Sequence, residues 1–323
     1  MRYLASVGDL AEPFIQGLPV LGRDPKAWVN ATLRHYWAFA HPVSRARFFG
    51  TPEHQELLRE MAQYGIHIGS SEFFAGVKPL TGLTKLLPEQ ARSVVTVVGK
   101  QTAGRFQEAF GTFLDVAAFL EWKALRLRAL REGQDSLFAL ADVVDHVRGT
   151  MGQRVIGIGA TQQQLEGTFM MFAPRYTKAG FALIADAMQG GIKGEVARES
   201  LAGLAGTGFL TFLAVGSAMV ATGNMKPNDL LERLRPIKNG RFNTKFMTIP
   251  IGTDNVGFGS FYYGLLKLVA GSVDSALNEP EEFLSLDKRD NPLIQFATSR
   301  LIGASPLSSL ALELGTGTTW QGE

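Results

Sequence analysis

The residues whose chemistry could drive a reaction are few, and they are not spaced for it. The chain of 323 residues carries five histidines: His35, His41, His54, His67 and His146. No two stand four positions apart with a glutamate between them, so the helical zinc-protease pattern is missing. Asp142, Asp145 and His146 share a helical face and could hold a cation, but a solvated helix face uses the same residues. Cysteine is absent, which removes disulfides, thiolate ligands and a thiol nucleophile. No Gly-x-Ser-x-Gly elbow occurs. Glu53 with Glu56, and Glu281 with Glu282, stand where helix starts favour negative charge. No general acid or base is singled out, and no metal or cofactor is expected.

Phosphate-cradling loops fail in the same way. Gly157-Ile158-Gly159 begins like a dinucleotide fingerprint, but Gln162 stands where the third glycine belongs, and no strong strand precedes it. Gly99-Lys100 lacks the upstream glycine and is followed by Gln101. Gly206-Thr207-Gly208 and Gly315-Thr316-Gly317 fit no better. The 36 glycines, about 11% of the chain against a usual value near 7%, are read as turns and close helix contacts.

Two segments remain as candidates for binding. Lys123, Arg126, Arg128 and Arg131 lie in WKALRLRALRE and could meet nucleic-acid phosphates. Basic residues near a helix C-terminus also complement its dipole, and a net charge of +2 does not argue for nucleic acid by itself. The second is the stretch from Ser200 to Met225, which has no charged residue. It is long enough to cross a bilayer as a helix. Phe209, Phe212 and Leu213 are its bulky members, and Ala214, Ala218 and Thr222 form a small-xxx-small line suited to close helix packing. The plainer expectation is a central helix that is hydrophobic all round because it is buried on all sides. Phe169, Phe172 and Tyr176 are expected to pack in a core rather than stack bases, with Pro174 kinking or restarting a helix.

These segments must be carried by a mainly α fold. Phe106, Phe110, Phe113, Ala117, Leu120, Ala124 and Leu127 recur at three- and four-residue spacing, which predicts a long helix over 103–131 with a wet opposite face holding Asp115, Lys123 and Arg126. Gly133 ends it, and a second helix is expected from Ser136 to Arg148. Asp24-Pro25, Thr51-Pro52, Asn291-Pro292 and Ser305-Pro306 each set a capping side chain before a proline, marking helix starts. Further helices are predicted over 26–40, 52–64, 161–189, 193–222, 227–235, 258–276 and 306–314. Asn239-Gly240 and Thr253-Asp254-Asn255 bracket an alternating stretch, read as one small β-hairpin inserted near 240–252. A soft boundary near the glycines of 150–160 gives two helical domains, 1–155 and 156–323. Asp9 and Glu12 interrupt the N-terminal stretch, so no secretory signal is expected.

The order of several short pieces resembles a known family. Gln16-Gly17-Leu18-Pro19 comes first, followed by DPKAW. The helix ADVVDHVRG then leads into the glycine-rich TMGQRVIGIG, and Phe172-Ala173-Pro174-Arg175-Tyr176 follows. The apolar helix, a hairpin, Gly257-Phe258-Gly259-Ser260-Phe261-Tyr262 and the closing SRLIGASPLSSLALELGTG complete the order. In this order the chain is similar to the C-terminal helical region of the large polyvalent proteins of tailed phages and conjugative elements. The resemblance implies a non-enzymatic protein packaged in the virion interior and delivered with the genome, and it carries no catalytic residues. Its partners would be other virion proteins, further copies of itself and packaged DNA, with a membrane met during delivery. The host cytoplasm or envelope would be its later location. A membrane-inserting ejection channel component is the alternative, and an enzyme with an unrecognised polar site is a third.

Overall fold

A computed structural model describes residues 12–66, 68, 89–133, 135–150, 174–252, 254–258 and 260–278; of these 12, 15, 89–103, 107, 135, 174, 175, 254 and 260 are described by backbone alone. His67, the glycines at 157 and 159, Phe169, Phe172, and the predicted helix starts at 291 and 305 lie outside the described residues. The chain is mainly α with small antiparallel hairpins. It divides into two compact units, Met1–Ile158 with Lys178–Gly203, and Gly159–Thr177 with Leu204–Glu323.

The first unit is built around one helix. Its elements are α1 (Glu12–Ile15), α2 (Leu18–Arg23), α3 (Pro25–Ala40), α4 (Ser44–Phe49), α5 (Pro52–Gln63), α6 (Glu89–Glu132) and α7 (Asp135–Val147), joined by most of α8 (Pro174–Ala187) and the start of α9 (Gly191–Ala221). Helix starts follow the expected chemistry. The Asp24 carboxylate accepts from the Ala27 N–H at 2.9 Å, and Thr51 Oγ1 accepts from the His54 N–H at 3.4 Å. Gly133 has φ +119°, a conformation that ordinary side chains resist, and it ends α6.

Every residue of α6 from Gly111 to Phe119 is buried, so this stretch is enclosed, while Lys123 is exposed and Arg126 half-exposed on the wet face read from the spacing. The apolar stripe read from the sequence runs true at Phe113 and Ala117, but Leu127 lies on the surface. Asp115, assigned to the wet face by spacing, is buried. Its burial is made possible by Arg45, which pairs with it, and by Arg148, 3.7 Å away. α3 lies along α6 through Ala27, Ala31 and Ala38, whose small side chains let the two backbones approach. His35 Nδ1 donates to the Ala109 carbonyl oxygen at 3.0 Å. Phe48, Phe49 and His54 set their rings at steep angles to Phe119, with centroids 4.7–5.7 Å away. The Gln16-Gly17-Leu18-Pro19 turn also has a packing role: a Cβ at Gly17 would run into the Phe113 ring.

The second unit holds the rest of α9, then α10 (Pro227–Arg233), two hairpins and α11 (Ser260–Asn278). There are two hairpins in the stretch read as one. β1 (Ile237–Lys238) pairs with β2 (Arg241–Phe242), and β3 (Thr248–Ile251) pairs with β4 (Asp254–Gly257). Asn239 and Gly240 both have positive φ, 54° and 79°, which fits the tight turn between β1 and β2. That turn uses up its strands within two residues, so the alternating residues beyond it pair with a later strand instead. Pro250 pairs with Asn255 in a two-stranded sheet, where every strand is an edge. The buried Arg233 binds this corner together: its Nη1 donates to the Thr248 carbonyl oxygen at 3.0 Å, to Thr248 Oγ1 at 2.6 Å and to Asn255 Oδ1 at 2.8 Å.

Candidate functional site

The candidate site is α9, which changes character along its length. Its first turns are charged and tied into the first unit. The Glu132 carboxylate accepts from the Ile192 N–H at 3.0 Å, placing negative charge at the helix N-terminus. Lys193 lies 3.2 Å from Asp142 and 3.3 Å from Asp186, and Asp186 also meets His146 Nδ1 at 2.5 Å. The Arg198 guanidinium donates to the Ala187 and Gln189 carbonyl oxygens at 2.8 and 2.9 Å, covering the open end of α8. At Gly203 the α9 backbone runs so close to Gly22 that a Cβ there would meet its carbonyl oxygen.

Beyond Gly203 the anchoring charges stop. Only 17% of the most apolar window of α9 is buried, at a mean hydropathy of 1.7. The expectation of a helix buried on all sides is therefore corrected; among the described residues it is α6 that has an enclosed stretch, from Gly111 to Phe119. Phe212 is buried and Leu213 half-buried, while Phe209, Ala214 and Ala218 are exposed, as are Leu210 and Val215. The small-residue line at Ala214, Ala218 and Thr222 faces solvent. Close packing within the second unit comes at Gly216 instead, where a Cβ would strike Leu230 of α10. Residues 200–221 make about 33 Å of helix, against about 30 Å for a bilayer's hydrocarbon core.

The basic candidates on α6 are mostly committed to carboxylates. Lys123 Nζ lies 2.8 Å from Glu53, whose carboxyl is held below its ordinary range by that partner. Arg126 pairs with Glu60. Arg128 spans Glu195 and Glu199, the latter at 2.8 Å, and these bonds raise its already high pKa. Arg131 is exposed, with no carboxylate partner among the described residues. The four side chains thus face different partners and do not converge on one point. Asp142, Asp145 and His146 are likewise drawn to Lys193, Arg148 and Asp186. Among the described residues no group of three His, Asp or Glu side chains is arranged for a metal ion. Tyr176 is buried edge-on to Phe261, with centroids 5.9 Å apart.

Sequence reading missed the carboxylates that answer these cations. It also missed the buried Arg23–Glu121 pair, where burial pushes the Glu121 carboxyl up to about 7 against the pull of Arg23. The partners are far apart along the chain, so no local signal marks them. A shallow depression beside the first hairpin, edged by Glu232, Lys238, Arg241 and Lys245, is open to solvent and brings no nucleophile and base together. Comparison with known proteins adds no relative: no family model matches the chain, and no curated protein or solved structure matches it.

Proposed function

We propose that the chain is a non-enzymatic structural protein that enters a membrane through the uncharged half of α9. The observation that carries this reading is the exposure of Phe209, Leu210 and Val215 on a helix without charge from Ser200 onward. A soluble protein seldom leaves so long an apolar helix uncovered, because burial gains roughly 25 cal/mol per Å². The charged first turns would hold the helix to the first unit while its far half meets lipid. The phage setting, with packaging in the virion interior and delivery alongside the genome, rests on the order of sequence motifs alone. Association with other virion proteins or with further copies of the chain would use the same exposed face.

Dye release from liposomes tests the insertion. The full chain is expected to release dye, and Leu210→Lys to suppress release by about a hundredfold, since a lysine at the centre of a membrane helix costs about 3 kcal/mol. No release by the wild-type chain, or equal release by Leu210→Lys and Leu213→Lys variants, overturns the insertion. The phage setting is tested separately, by whether the chain co-purifies with tailed particles.

A further inference from the structure

A second surface, in the first unit and independent of α9, carries its own chemistry. α3 buries Ala27, Ala31, His35 and Ala38 against α6, yet its opposite face is apolar too. Val29, Leu33 and Trp37 follow one another at four-residue spacing on that face, with Val43 just beyond the helix end, and all are exposed, Leu33 at 65% and Trp37 at 59%. A surface helix normally turns charge outward here. The Trp37 ring stacks on His41 at 4.2 Å, which fixes the orientation of the exposed indole.

The charge of the segment is equally one-sided. From Pro25 to Pro52 the sequence has no aspartate or glutamate, while it carries Lys26, Arg34, Arg45 and Arg47. Arg45 is spent on Asp115, but Lys26 and Arg47 are exposed, and the half-exposed Arg34 lies over the Phe48 ring, 4.1 Å from its centroid. An exposed apolar stripe that includes a tryptophan, on a segment that carries cations and no carboxylate of its own, matches an anionic lipid surface: the stripe enters the headgroup boundary and the cations meet the phosphates.

We propose that the outer face of α3 is an interfacial docking surface for anionic membranes. It lies on the membrane rather than crossing it, since α3 has 16 residues and its inner face is committed to α6. A second copy would set the same cations against one another, whereas an anionic lipid surface answers both the apolar stripe and the positive charge.

Sedimentation of the full chain carrying Leu210→Lys, which removes the α9 route to lipid, with phosphatidylcholine vesicles, with and without phosphatidylglycerol, tests this. Binding is expected only with phosphatidylglycerol, and is expected to weaken as salt rises. Leu33→Glu is expected to lower that binding at least tenfold, a loss of one apolar anchor plus charge repulsion. Leu33 and Trp37 are surface residues, so an unchanged melting curve confirms that their variants fold. Trp37→Phe should remove most of the blue shift in tryptophan emission seen on vesicle binding. The α9 variant Leu210→Lys should keep this binding while losing dye release. Equal binding to neutral vesicles, or binding unaltered by Leu33→Glu, overturns the proposal while leaving the α9 reading intact. A Leu33→Glu variant that only converts an oligomer to a monomer, with no lipid binding by the wild type, overturns it in favour of a second copy.

Discussion

α6 carries Asp115 and Glu121 through the middle of the first unit, whereas α9 carries no charge over its last six turns and lies largely exposed. By composition the assignments would be reversed. The difference shows what decides burial in this chain. A carboxylate can be enclosed when a guanidinium is positioned for it, as Arg45 is for Asp115 and Arg23 for Glu121. An apolar helix is enclosed only when other elements have faces left to cover it. In the first unit, α3 and α7 each turn one face to α6. Within the second unit, Leu230 of α10 lies against Gly216 of α9 and Phe258 against Gly208, yet Phe209, Leu210 and Val215 stay exposed.

The sharpest way to break this contrast is to truncate one large side chain on each helix. Phe113→Ala empties a fully buried site that touches Gly17 and His35, and is expected to cost about 3–5 kcal/mol. Leu210→Ala removes a side chain that is 66% exposed and is expected to change stability by about 0.5 kcal/mol or less. Urea unfolding of both variants without lipid reads the two numbers. A large loss at Leu210 would mean that α9 is covered in solution by another copy of the chain.

Much of the fold was legible because its signals are local. Asp24 and Thr51 announce their helices through a cap three residues long, Gly133 through its backbone freedom, and Asn239-Gly240 through a turn that needs two positive φ angles. The candidate site was legible only as a segment. Its length and lack of charge are properties of the sequence, but whether anything covers it is a property of tertiary packing. Lys123, Arg126 and Arg128 look free for phosphate because their carboxylates come from elsewhere in the chain, 66 to 71 positions away. Asp115 was placed on a wet face for the same reason, with Arg45 standing 70 positions earlier. The single hairpin became two because strand pairing beyond Asn239-Gly240 depends on which later strand is available.

A smaller effect divides α9 itself into its tied and untied halves. Gly203→Ala forces a methyl group into the Gly22 backbone, which cannot rotate away, and is expected to cost about 1–3 kcal/mol. Gly206→Ala places the same group on the same helix in open space. There it removes the entropic penalty of a helical glycine and is expected to stabilise by about 0.5–1 kcal/mol. Opposite signs in thermal melts three residues apart would fix where the anchored part of α9 ends. Equal signs would move that end.

A further effect is expected in pH, and it reports on the α6 side of the contrast. In the folded chain Glu121 releases its proton near 7, because burial outweighs the help of Arg23, whereas the unfolded chain releases it near the ordinary value of 4.5. Between these values the folded state holds more protons than the unfolded one, so this group's contribution to stability is full in acid and declines as pH rises. Glu121→Gln keeps the shape and cannot titrate. The stability of the wild-type chain relative to this variant is therefore expected to fall by about 1–2 kcal/mol from roughly pH 5.5 to 7. A difference that stays constant, or grows with pH, would mean that Arg23 holds Glu121 ionised throughout and that the pair behaves as a fixed salt bridge. No residue from Ser200 to Ala221 ionises, so the exposed half of α9 contributes nothing to this slope, and the pH dependence isolates the enclosed helix from the exposed one.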